Sequence, residues 1–306
     1  MCRTRAPVAQ AFAHHRVNIR DFLRALPTDS PPRSEVRLLL SRVLMRDAAW
    51  LVAYDDYVMT GEEFSSITEL VAERVAGQPI AYLLAAREFY GRVFRCSPAA
   101  LIPRPETELL VDVALTQLPV CPERIEEFDA EPLRILDVGC GTGCIAITLA
   151  LERPNAVVTA VDISPDALAL AQENAQHLGA KVAFVESNWF ANLPPDSRFD
   201  LIVSNPPYIV PGDAHLSQGD LRFEPAIALA DAVDGLESYR QLALGAELHL
   251  KAGGSLLVEH GFEQGESVPR LFAAAGWSEI ETVHDLAGHP RLTMARSPLR
   301  ATGLST

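Results

Sequence analysis

Two short stretches of this chain carry residue types with chemistry in them. The first is Asn205-Pro206-Pro207-Tyr208, which stops the otherwise apolar run "FDLIVSN". An Asn side chain offers an acceptor oxygen beside a donor NH2, and proline removes a backbone donor while stiffening the chain. A strand ending at Asn205 therefore leaves a rigid rim of acceptors, the Asn205 side-chain oxygen and the Pro206 carbonyl, with Tyr208 as an aromatic wall. Such a rim matches a planar NH2 group: acceptors at fixed directions satisfy both of its N–H bonds and point the nitrogen at a methyl donor. Taken alone, the same residues also read as an ordinary Pro-Pro turn.

The second stretch is "DVGCGTGCIAI", in which Gly139, Gly141 and Gly143 alternate with Cys140 and Thr142 before a helix-like run. Glycines at this spacing let backbone N–H groups approach a ligand that a Cβ would exclude. The dinucleotide fingerprint is G-x-G-x-x-G; here the third glycine comes one residue early and Cys144 fills the expected place. That difference favours S-adenosylmethionine over a nicotinamide or flavin cofactor. Asp162, closing "VVTAVD", sits where a carboxylate accepts hydrogen bonds from both ribose hydroxyls, a feature shared with dinucleotide enzymes. Asn188 and Trp189 follow "VAFVES" and would lay an amide and an indole beside an adenine, although Trp189 taken alone reads better as a core aromatic. Asp137 lies within an apolar strand and needs a partner, either the cofactor's ammonium or the turn's own amides.

The elements that must position these residues follow from periodicity. From about Arg16 to Ala76 apolar residues recur at helical steps: Val36, Leu39, Leu40, Val43 and Leu44, then Phe64, Ile67, Leu70, Val71 and Val75. Ser34 and Glu35 look like an N-terminal cap region, and the second helix is expected to stop at Gly77 before Pro79. This small helical domain is either a lid or a docking surface for a macromolecular substrate. "REFYGRVFRC" predicts a β-hairpin within a linker, Pro105 a helix start with acidic residues behind it, and "PVCPERIEEFDAEP" a loop. Beyond Arg134, strand-like and helix-like runs alternate to Arg296, predicting an α/β fold with a mostly parallel sheet covered by helices on both faces. The expected domains are residues 1–77, helical; 78–105, the hairpin linker; and 106–306, catalytic. In such sheets ligands bind beyond the carboxyl ends of the strands, where both stretches fall.

Composition narrows the function classes. With 306 residues, 48% of them hydrophobic, there is material for a large domain and a small one. The 26 basic and 40 acidic residues give a net charge of −14 with the basic residues scattered, a poor hold on phosphates, so no direct nucleic-acid contact is expected. Cys2, Cys96, Cys121, Cys140 and Cys144 lack both C-x-x-C pairing and His partners, so free thiols in a cytoplasmic protein are expected and no metal. The N-terminal "MCRTRAPVAQAFAHHR" lacks an apolar signal core, and no run approaches the ~18 apolar residues of a membrane span.

Several longer segments, taken together, carry a resemblance: "GQPIAYLLAAREFYGRVFRCSPAALIPRPETELLV", "DVGCGTGCIAI", "SNPPYI", "RFEPAIALADAVDGLESYRQL" and "VEHGFEQGESV" with "DLAGHPRLTMAR". From about Arg37 to Arg296 the chain resembles the protein-(glutamine-N5) methyltransferases that modify peptide chain release factors. The Asn-Pro-Pro-Tyr motif alone is less specific, being shared with other amino and amide N-methyltransferases, the adenine-N6 DNA enzymes among them. The resemblance implies a class I, Rossmann-like, S-adenosylmethionine-dependent methyltransferase whose small N-terminal helical domain helps recognise a class I release factor. It implies that S-adenosylmethionine meets Gly139 to Gly143, Asp162, Trp189 and Asn205, leaving S-adenosylhomocysteine as product, and that Asn205, Pro206, Pro207 and Tyr208 hold the substrate glutamine. Relatives usually carry Asp where this chain has Asn188, and Gly where it has Ala85.

The reaction expected is direct in-line transfer of a sulfonium methyl to an amide nitrogen. That nitrogen is a poor nucleophile, so positioning and electrostatics carry the catalysis, with up to roughly 7–11 kcal/mol available from proximity in the best model systems. No strong general base is required, because the N-methylated amidium is very acidic. Arg104, Glu106 and Thr107 fall near the expected cofactor mouth, while His260 and His289 read as core or turn residues. Glutamine methylation of a ribosomal protein would use the same site. DNA adenine-N6 methylation would need a basic face that the charge of −14 argues against.

Overall fold

The structure, a computed structural model, describes residues 17–118, 131–231 and 233–297. Cys2, Cys121, the basic N-terminal stretch and most of the segment expected as a loop before Arg134 lie outside the described residues. The chain divides into compact units spanning 1–86 and 87–306.

The first unit is helical. Its helices are α1 (Ile19–Arg24), α2 (Arg33–Leu44), α3 (Ala48–Ala53), α4 (Gly61–Val75) and α5 (Ile80–Leu84). Ile19, Phe22, Val36, Leu39, Leu40 and Ile67 are fully buried at the centre of one core. Val75, expected on the same stripe, is instead 53% exposed, because α4 ends there and its last turn leaves the core. The expected Ser34–Glu35 cap is also corrected: α2 begins at Arg33 behind Pro32, which makes no side-chain cap bond and whose ring fixes φ near the helical value. α4 has a full capping box, with the Glu63 N–H donating to Thr60 Oγ1 at 3.2 Å and the Thr60 N–H to Glu63 Oε2 at 2.7 Å. Ala85 caps α5 at φ +52°, a left-handed conformation that favours glycine.

The second unit is built on a sheet. β1 (Ala86–Phe89) and β2 (Arg92–Arg95) form the expected hairpin, turning through Tyr90 and Gly91, both at positive φ. Pro105–Thr107 is a 3-10 turn leading into α6 (Glu108–Gln117). Then follow β3 (Arg134–Val138), α7 (Cys144–Glu152), β4 (Val157–Asp162), α8 (Pro165–Leu178), β5 (Val182–Glu186), β6 (Phe199–Ser204), α9 (Ala226–Leu229), α10 (Glu237–His249), β7 (Leu250–Glu259), α11 (Ser267–Ala274), β8 (Ser278–His284) and β9 (Pro290–Arg296). The main sheet has seven strands in the order β5-β4-β3-β6-β7-β9-β8. The pairs from β5 to β7 are parallel and β9 is antiparallel to both neighbours.

Both faces of this sheet are buried, which is why its central strands read as unbroken apolar runs rather than alternating ones. Ile135, Leu201 and Val203 pack with α6 and α7 on one face, and Leu136, Val138 and Ile202 with α10 and α11 on the other. The strand order reverses between β3 and β6, paired through Asp137 opposite Val203. A crevice opens beyond the carboxyl ends at such a reversal. The Ser204 hydroxyl donates to the Val138 carbonyl at 2.7 Å, so the last residues of these strands are tied together where the two functional stretches begin.

Candidate functional site

The glycine turn is built from backbone. Gly139, Gly141 and Gly143 all adopt positive φ, at +76°, +53° and +78°. A Cβ at Gly139 would meet nothing within 4 Å and one at Gly141 only Ala100, so these two leave an open cradle. Gly143 serves differently from the sequence expectation: a Cβ there would lie 2.9 Å from Ile147 Cδ1 and 3.1 Å from Ala171 Cβ. It permits close packing of α7 against α8 and does not line the cavity.

Asp162 holds the turn from the end of β4. Its Oδ2 accepts the Gly141 N–H at 2.8 Å and its Oδ1 the Ser164 N–H at 2.9 Å. Each oxygen retains a further lone pair, so the carboxylate can order the turn and still accept from a ribose diol. Burial pushes its carboxyl up, against the pull of the Ser164 and Gly141 amides. Asp137 lies beneath, fully buried, and its partner is the Ala146 N–H of α7 at 3.1 Å, from the helix rather than from the turn. Its Oδ1 has no partner, and burial raises its carboxyl to about 7. Asn174, buried on α8, donates to the Thr142 carbonyl at 3.0 Å and to the Arg95 carbonyl at 3.2 Å, pinning the turn to the hairpin.

The Asn-Pro-Pro-Tyr segment is held by side chains from distant parts of the chain. Ser238 Oγ donates to the Pro207 carbonyl at 2.7 Å, and Gln264 Nε2 to the Tyr208 carbonyl at 3.4 Å. Ile209 bridges to Ala230, and Asp231 gathers the N–H groups of Val233, Asp234, Gly235 and Ser238, so the loop before α10 is a rigid backing. Among the described residues nothing donates to the Pro206 carbonyl, which leaves it open as an acceptor. Asn205 Nδ2 donates to Thr107 Oγ1 at 3.1 Å. Tyr208, expected as an aromatic wall, is not among the residues that line the cavity beside this segment; its ring lies against Gly261, where an added Cβ would be 3.5 Å from it.

Both stretches open on one cavity of about 460 Å³, within the range of ligand sites. Gly139, Cys140, Gly141, Thr142, Asp162, Asn188, Trp189, Asn205, Pro206 and Pro207 all line it; Asp137, Gly143 and Tyr208 do not. Trp189 sits at φ +53° beside the cavity. Arg104 and Thr107 also reach the wall, whereas Glu106, His260 and His289 do not. His260 is a fully buried core residue with Nδ1 3.0 Å from the Gly261 carbonyl and Nε2 without a partner, and His289 is exposed beside the turn at Leu286 to Gly288.

Sequence reasoning missed Glu224. Its buried carboxylate accepts the Ile102 N–H at 3.0 Å and pairs with the Arg104 guanidinium, fastening the loop through Ala100 to Arg104 against the segment from Pro225 to Ala230. Both segments line the cavity, so this charge closes its outer wall. The quoted "RFEP" contained the residue, but nothing in the string shows that its partner lies some 120 residues earlier.

A cradle left open by two glycines, a carboxylate at the adjacent strand end and an orphaned buried carboxylate oxygen below fit an adenosyl ligand bearing an amino-acid tail. Comparison with known proteins agrees. The "Methyltransferase small domain" family matches residues 124–226, and the "PrmC N-terminal domain" family matches residues 17–84. A curated release factor glutamine methyltransferase from Neisseria gonorrhoeae is 47% identical over 87% of this chain and 93% of its own length. The Escherichia coli protein of that name is 42% identical over 91% and 97%. The chain belongs to the release factor glutamine methyltransferases. A solved protein-(glutamine-N5) methyltransferase from Alicyclobacillus acidocaldarius is 30% identical over 67% of this chain and 99% of that one, with a TM-score of 0.38. As a member of this family the chain is an S-adenosylmethionine-dependent methyltransferase of the class I, mostly parallel type. Ala85 and Asn188, the departures read from the sequence, fall at a left-handed cap and on the cavity wall of this methyltransferase. Among its described residues, no helix is long and apolar enough to cross a membrane.

Proposed function

We propose that this methyltransferase modifies the side-chain amide nitrogen of the glutamine in the Gly-Gly-Gln motif of class I release factors, acting in the cytoplasm and without direct contact to nucleic acid. The observation that carries the proposal is the pairing, on one cavity, of the open glycine cradle with the Asn205 side chain and an unengaged Pro206 carbonyl. S-adenosylmethionine, when bound, supplies an electrophilic methyl. Gly139, Cys140, Gly141, Thr142, Asp162 and Trp189 are the residues that would hold it, with Asp137 beneath.

Asn205 and Pro206 accept the two N–H bonds of the substrate amide, which fixes the nitrogen's direction and pushes electron density onto it as it attacks. The nitrogen gains the methyl and sheds one proton to a carbonyl or to water. Glutamate would set its oxygens against these acceptors, and a site built for hydrogen bonding rejects such a mismatch by about 10⁴-fold or more. Asparagine, one methylene shorter, is rejected by only about 1–3 kcal/mol. The helical unit, whose residues 17–84 match the N-terminal family, is read as helping to recognise the release factor.

The test is methyl transfer from labelled S-adenosylmethionine to purified class I release factor, wild type and with the motif glutamine changed to alanine. Label on the wild type alone supports the proposal. Label on both, or on neither while the cofactor binds, overturns it and sends the search to ribosomal protein and then to DNA.

A further inference from the structure

An Asn amide can grip a substrate NH2 only if its oxygen faces the cavity. Turned by half a rotation it presents donors to donors, and the grip becomes a repulsion. Something must therefore choose between the two orientations, and the groups behind Asn205 supply the choice. Thr107, 2% exposed, receives Asn205 Nδ2–H on its Oγ1 at 3.1 Å. A hydroxyl can equally donate, and in that role it would invite the Asn oxygen inward instead. Glu259, at the end of β7, is 6% exposed, lies outside the cavity wall and has an Oε2 without a partner. Thr107 and Asn205 both act to hold its carboxyl lower than burial alone would. An ionised carboxylate only accepts, so one beside Thr107 would draw the hydroxyl proton to itself and leave a lone pair for the Asn205 amide.

We infer that Glu259 and Thr107 are positioning residues, a relay that holds the Asn205 amide with its nitrogen inward and its oxygen toward the substrate. The inference deepens the proposed function and rests on its reading of Asn205. It also gives roles to two segments that the cofactor and acceptor motifs leave unused, since Thr107 belongs to "IPRPETE" and Glu259 to "VEHG". Burial raises the Glu259 carboxyl to about 7, opposed by Thr107, Arg291 and Asn205 and reinforced by Glu106; the hydroxyls of Tyr208 and Tyr239 also feel its charge. Protonated Glu259 becomes a donor, frees the Thr107 hydroxyl to reverse, and weakens the selection.

The experiment compares wild type, Thr107→Val, Thr107→Ser and Glu259→Gln in methyl transfer to release factor, with S-adenosylmethionine affinity measured separately by calorimetry. Thr107→Val is expected to lower kcat about 10- to 100-fold while cofactor Kd stays within about twofold, and Thr107→Ser to restore most of the rate. Wild-type kcat falls below about pH 7, and Glu259→Gln flattens that limb. Wild-type turnover by Thr107→Val, failure of the serine to rescue, or an unchanged acid limb in Glu259→Gln would each overturn the relay. A readout independent of turnover is exchange of the Asn205 side-chain amide protons, assigned by their disappearance in Asn205→Ala. Slow exchange in wild type and faster exchange in Thr107→Val support the relay even where no release factor is labelled, an outcome that overturns the proposed substrate instead. Equal exchange rates overturn the relay.

Discussion

The two halves of the cavity are made in different ways. The half proposed to hold the cofactor is a local object: three alternating glycines in one turn, and a carboxylate at the next strand end whose oxygens bond amides at Gly141 and Ser164. The half proposed to accept the substrate amide is four consecutive residues held by others far along the chain, Thr107 before them and Ser238 and Gln264 after. Backbone geometry forgives little in the first half. In the second, hydrogen-bond polarity decides, and single side chains set it.

The comparison breaks most sharply at Asn205. Asn205→Ala should lower methyl transfer by about 10²–10³-fold, as loss of one oriented polar group in an active site commonly does, while cofactor affinity measured by calorimetry changes by only a few-fold. A parallel loss of cofactor affinity would show that the halves are not separable. Gly143→Ala should destabilise the protein by about 2–4 kcal/mol in denaturant titrations, since it combines strain at φ +78° with overlap against Ile147 and Ala171. Unchanged stability would mean that α7 and α8 are free to move apart.

Asp137 sharpens the same contrast through pH. Its folded pKa of about 7 lies above the usual aspartate value, so its contribution to stability is full in acid and is lost as pH rises through 7. Asp137→Asn should shrink the difference in unfolding free energy between pH 4 and pH 8 by something of order 3 kcal/mol, read from denaturant curves at both pH values. Glu259 contributes a slope of the same sign, so the variant should flatten the profile without abolishing it. The smallest effect is a control outside both halves: Ala85→Gly relieves a left-handed cap at φ +52° and should raise stability by about 0.5–1 kcal/mol without touching turnover.

Much of the cofactor half was legible because its signals are local. A Gly-x-Gly-x-Gly turn after an apolar run, and an Asp closing the next run, need only a few residues to be seen. Even there Gly143 was misplaced, since the neighbour that demands it, Ala171, lies on another helix. Asn205 and Pro206, expected at the site, do line the cavity, whereas Tyr208, expected as its wall, is not among the lining residues. The parts that could not be read are side chains acting at a distance: Glu224 joining two segments of the cavity wall, Asn174 pinning the glycine turn, and Thr107 bonded to Asn205.

By itself the sequence determined the alternation of strands and helices, the glycine turn, the carboxylate at the second strand end and the Asn-Pro-Pro segment after the fourth, because periodicity and residue type act within a few residues of each other. Tertiary structure alone decided that β3 and β6 lie side by side, tied by the Ser204 hydroxyl, so that both stretches open on one cavity. It also decided which way the Asn205 amide faces. An amide has no preferred orientation of its own, and only the partners that folding brings beside it can choose one.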